Sequence, residues 1–80
     1  MKTIIDKRQY PHARWGYVDI TVVGTDGTRI ATLRWDYFGN RNGVTWHCHV
    51  TPTEELDVLN HAVEAFDNMP KDDFFWQWYA

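Results

Sequence analysis

Hydrophobic periodicity divides the chain into three alternating runs and one helical one. From residue 51 to 69 apolar side chains recur at helical spacing: Leu56, Leu59, Val63 and Phe66 form a stripe that Ala62 and Met69 widen. Thr51-Pro52-Thr53-Glu54 opens this run as a capping box with proline at the first helical position. Asn68-Met69-Pro70 closes it, because the residue before a proline avoids the helical region. Ahead of the helix the period is two. Trp15 to Val23 places Val18, Ile20 and Val22 on one face and Tyr17, Asp19 and Thr21 on the other. After the turn residues Gly24-Thr25-Asp26-Gly27, residues 29–38 alternate again, with Ala31, Leu33, Trp35 and Tyr37 on one side. A second turn is expected at residues 39–43. Residues 44–50 then form a third strand, with Val44, Trp46, Cys48 and Val50 opposite Thr45, His47 and His49.

A lone amphipathic helix cannot bury its own stripe, so these strands must supply a sheet. The pattern predicts an α+β fold: an antiparallel meander of three to five strands with a single α-helix packed on one face. The faces carrying Val18, Ile20 and Val22, then Leu33 and Trp35, then Trp46 and Cys48, are expected to lie against the helix. Residues 2–6 supply a short β-prone first strand, followed by a loop over 7–14 in which Pro11 argues against a central strand. The end of the chain, 71–80, packs five aromatics into residues 74–79. It reads as a further strand or as a short helix starting at Asp72 or Asp73.

Length and composition sharpen this picture. At 80 residues the chain is expected to form one domain, 1–80, with no room for a second core. Four Ile, three Leu and seven Val are a thin aliphatic supply, set against five Trp, four Tyr and four Phe. Aromatics must therefore build much of the core, and a surplus is expected at the surface, where Trp, Tyr and Arg are enriched in binding hot spots. A single cysteine excludes an intramolecular disulfide framework. Charged residues directly after Met1-Lys2-Thr3-Ile4-Ile5 argue against a leader peptide, and no apolar run approaches a membrane span. The expected setting is soluble and cytoplasmic.

The net charge of −3 conceals an asymmetry. Residues 1–41 carry seven Lys or Arg against four Asp, whereas residues 42–80 carry only Lys71 against seven acids. The helix holds Glu54, Glu55, Asp57, Glu64 and Asp67 with no Lys or Arg, so it lacks the i,i+4 opposite-charge pairs that usually lace an exposed helix. Such a face either keeps the protein in solution or is aimed at a basic partner.

Candidate chemistry is sparse. His47 and His49, at i and i+2 of a strand, would share a face at a separation compatible with one metal ion, but no third ligand is promised by spacing. Solvated polar positions are the simpler reading, and no cofactor is expected. Cys48 faces away from both histidines and reads as a buried structural thiol. No nucleophile elbow, phosphate loop, dinucleotide-binding glycine pattern or HExxH run is present, so catalysis and a small-molecule substrate are not expected. Arg14, Arg34 and Arg41 with Trp35 suggest an alternative, a stacking platform for single-stranded nucleic acid, against which the acidic balance counts. The aromatic end fills the core, docks into a partner, or pairs with its own copy in a homodimer. Asp72 and Asp73 argue against attachment to an anionic membrane.

An acidic, Trp-rich chain with a meander over 15–50, an acidic helix over 51–69 and an aromatic end over 74–79 resembles the small inhibitors encoded by phages and mobile elements, of which anti-CRISPR proteins are the best-known group. These share no motif, so the resemblance assigns no residue. It implies a non-enzymatic protein in a host cytoplasm that blocks a nucleic-acid-binding or multisubunit defence complex stoichiometrically. The contact surface expected for such a module combines Glu54, Glu55, Asp57 and Glu64 with Tyr37, Trp76 and Trp78.

Overall fold

The computed structural model describes residues 1–10, 15–36 and 38–70. The expectations for Arg14, Tyr37, Trp76, Trp78 and the whole 71–80 segment lie outside these residues. Four strands, β1 (Lys2–Tyr10), β2 (Trp15–Val23), β3 (Arg29–Asp36) and β4 (Arg41–Trp46), form one antiparallel sheet in the order β1-β2-β3-β4. One helix, α1 (Pro52–Asn68), follows and packs on one face of the sheet, chiefly over β2 with contacts to β1 and β3. The α+β meander with a single helix is as expected.

The first strand is longer than its apolar content suggests. It runs through Lys7 and Arg8 to Tyr10, in unbroken register from Lys2 opposite Val23 to Tyr10 opposite Trp15, where a loop from residue 7 was expected. An outer strand needs a hydrophobic period only on a face that is covered, and charged residues are tolerated on its exposed parts. The proline expected to end regularity comes directly after Tyr10.

The second turn also sits earlier than expected, and β4 starts at Arg41 rather than at residue 44. Asp36 is the cause. Its Oδ1 accepts the main-chain N–H of Phe38 and of Asn40, both at 2.9 Å, while its own N–H donates to the Asn40 carbonyl at 2.9 Å. An aspartate that gathers two main-chain donors fixes a tight turn by itself. Gly39 takes φ 83° at its tip. The other glycine of the stretch, Gly43, falls inside β4 at φ 144°, beside a register shift between Arg34 and Trp35.

The core is built between β2, β3 and α1. Val18, Ile20 and Val22 meet Ala31, Leu33 and Trp35 across the central pair, and Val58, Ala62, Phe66 and Met69 close over them. Trp35 stacks on Phe66 with ring centroids 4.4 Å apart and planes 4° from parallel, a contact worth about 0.5–1.5 kcal/mol beyond the area it buries. The expected stripe holds at Ala62, Phe66 and Met69, which are buried, and differs at its start. Val58, not Leu56, begins the buried face, and Leu56 is 62% exposed. Leu59 and Val63 flank the core and are half-buried. Trp46 packs at the margin of the core as expected. Cys48 does not: it is exposed, because β4 ends at Trp46 and the alternation expected to bury it no longer runs.

Candidate functional site

The outer face of α1 is set by its first turn. The Glu54 N–H donates to Thr51 Oγ1 at 3.3 Å and the Thr51 N–H donates to Glu54 Oε1 at 3.1 Å, a closed capping box with Pro52 beside it. The Thr51 hydroxyl, and after it the Thr51 main-chain N–H, hold the Glu54 carboxyl below the usual glutamate range. Glu54 is therefore committed to the cap, which leaves Glu55, Asp57 and Glu64 as the exposed carboxylates that no such bond engages. Asp57 lies 3.6 Å from His61 Nδ1, which also bonds the Asp57 carbonyl at 2.9 Å.

Positions 53, 56, 57, 60 and 64 follow the i+3 and i+4 spacing of one outward stripe, opposite the buried line of Val58, Ala62 and Phe66. Thr53, Glu54, Leu56, Asp57 and Asn60 line a shallow depression of about 410 Å³ on it. An exposed leucine is unremarkable alone. Here it shares its depression with Glu54 and Asp57, on a helix with no basic residue in its last turn, where a cation would favour the dipole. The arrangement can receive an apolar side chain flanked by lysines or arginines. Of the residues expected to form a partner surface, the helix places Asp57 and Glu64 on this stripe, whereas Glu55 is exposed but lies off it. The aromatics meant to join them lie outside the described residues. Leu56 went unrecognised because its spacing to Leu59 and Val63 suits a buried stripe as well as the real one does.

The opposite face of the sheet is polar and ordered. Arg34 donates from Nε to Asp19 Oδ1 at 2.7 Å and from its terminal nitrogen to Asp19 Oδ2 at 2.9 Å, and its guanidinium carbon sits 3.8 Å above the Tyr17 ring. Beside this fork Thr21 Oγ1 and Thr32 Oγ1 are 2.9 Å apart, and Thr32 Oγ1 is 2.7 Å from His47 Nε2. A stacking platform for nucleic acid finds little here. Trp35 is 4% exposed and already stacked, Arg34 is held by Asp19 and Tyr17, and Arg41 stands exposed at the start of β4. His47 and His49 both lie past the end of β4, so the shared strand face assumed for a metal pair does not exist. Among the described residues no group of three or more His, Cys, Asp or Glu is arranged to hold a metal ion. Among the same residues no helix is long and apolar enough to cross a membrane. No family model matches the chain, nor does any curated protein or any solved structure.

Proposed function

We propose that this protein is a non-enzymatic binding module that docks the outer face of α1 onto a basic surface of another protein and so blocks it stoichiometrically. A nucleic-acid-binding surface of a multisubunit complex has the required charge. The observation that carries this reading is Leu56, 62% exposed beside Glu54 and Asp57 on the outward stripe that Glu64 continues. An apolar anchor supplies affinity when a partner pocket desolvates it, and a surround of one sign steers the encounter and rejects acidic surfaces. Reversing the surround while leaving the core untouched tests it. An Asp57→Lys, Glu64→Lys variant with an unchanged circular dichroism spectrum is expected to lose the stoichiometric partner that the wild type retains at about 50 mM salt. Retention of the same partner by the variant at the same salt rejects the helix face as the contact.

A further inference from the structure

Three of the six exposed large hydrophobic side chains among the described residues, Met1, Ile4 and Ile5, crowd the start of one outer strand. Ile4 is 57% and Ile5 41% exposed, on opposite faces of β1: Ile5 stands opposite the core residue Ile20, and Ile4 opposite Thr21. β1 is nine residues long and regular, and no described strand lies on its outer side. A long, regular, apolar outer strand is a template for strand addition unless charge or irregularity spoils it. The other edge is spoiled. β4 has six residues, with Gly43 at φ 144° and a register shift beside it.

We propose that β1 pairs antiparallel with β1 of a second copy about a two-fold axis through Ile4, joining two four-stranded sheets into one continuous sheet. Charge selects both the partner and the register. With Ile4 opposite Ile4, Ile5 meets Thr3 of the second copy and Asp6 meets its Lys2, so the axis generates the Lys2–Asp6 pair on both sides. Centring on Ile5 sets Lys2 against Arg8, centring on Asp6 sets Asp6 against itself, and centring on Lys7 sets Lys7 against itself. Like charges directly opposite one another destabilise a strand pair. The lysine that guards this edge against other strands is thus neutralised by its own copy. Asp6 gains a better partner than the Arg8 guanidinium, which lies 3.8 Å away on the same strand. The axis stands perpendicular to the sheet, so both helices lie on one face of the dimer.

Sedimentation equilibrium of the whole chain from about 5 to about 500 µM tests this, since an edge-to-edge contact of this size is a weak one. A monomer–dimer equilibrium is expected in the wild type. Lys2→Asp alone and Asp6→Lys alone each turn two attractive pairs into two repulsive ones, so each raises the concentration of half-dimerisation about tenfold or more. Combining Lys2→Asp with Asp6→Lys restores the attraction and is expected to return the equilibrium to the wild-type range. A wild type that stays monomeric throughout overturns the proposal. So does a dimer insensitive to both single changes, or a double variant no better than the singles. The measurement reads self-association alone, so its outcome is separate from that of the helix face.

Discussion

At the scale of the residue, two aspartates and a glutamate show how short polar side chains direct the backbone. Asp26 accepts the Thr28 N–H at 3.0 Å in the first turn, and that bond is the main reason its carboxyl lies below the usual aspartate range. Asp36 shapes the second turn in the same way with two donors. Glu54 does so at the helix start, and it carries a pH dependence of definite sign. Its carboxyl is lowered in the folded protein by the Thr51 hydroxyl and N–H, so the ionised form favours the fold. That contribution is complete above the ordinary glutamate range and is lost as pH falls through it and past the lowered folded value. Glutamine at this position keeps the capping geometry without the titration. Glu54→Gln is therefore expected to melt below the wild type at pH 7, with the gap closing as pH falls through the ordinary glutamate range towards about pH 2. Melting curves that stay parallel between those pH values would show that the Glu54 charge adds nothing to the cap.

At the scale of the element, the helix was legible in the sequence almost to the residue, while β4 was not. Thr51, Pro52 and Glu54 mark a start that local chemistry alone enforces, and Pro70 marks an end. Between Asp36 and Gly43, by contrast, the chain holds five residues suited to a turn, and the bonds that Asp36 makes through its carboxylate and main chain decide which are used. β1 escaped for a different reason: its length comes from pairing with β2, which leaves no hydrophobic signature in Lys7 or Arg8. The buried side of the helix was ambiguous because Leu56 and Val58 both begin acceptable stripes. The structure makes the two separable by experiment. Val58→Ala opens a space in the core beneath the helix and is expected to cost about 1–3 kcal/mol for the lost branched side chain. Leu56→Ala removes a solvated side chain and is expected to change stability by less than about 0.5 kcal/mol. Chemical denaturation of both variants checks the pair. Equal costs would contradict the burial assigned to them, and the same data would show whether Leu56 is free to serve a contact.

At the scale of the whole molecule, charge and core are laid out independently. The acids of the helix are exposed, and most of the basic residues belong to the sheet half of the sequence. The ion pairs found among the described residues are local: Arg8 with Asp6 in β1, Arg34 with Asp19 across β2 and β3, and His61 with Asp57 in α1. None joins the helix to the sheet. The two layers meet through Val58, Ala62, Phe66 and Met69 against the central strands, apolar contacts that added salt does not screen. At about 0.5 M salt the Debye length falls below about 8 Å, and exposed charges further apart stop sensing one another. Raising salt from about 50 mM to about 500 mM is therefore expected to move the melting temperature of the isolated protein by only a few degrees, since exposed pairs contribute about 0–1 kcal/mol each. Association through the acidic helix face has the opposite dependence, because steering by a surface of one sign weakens steeply over the same range. Measuring both on one preparation separates fold from function. A melting temperature that collapsed with salt would mean that the helix is held by charge rather than by its apolar stripe. Association that ignored salt would remove the carboxylates of α1 from the contact.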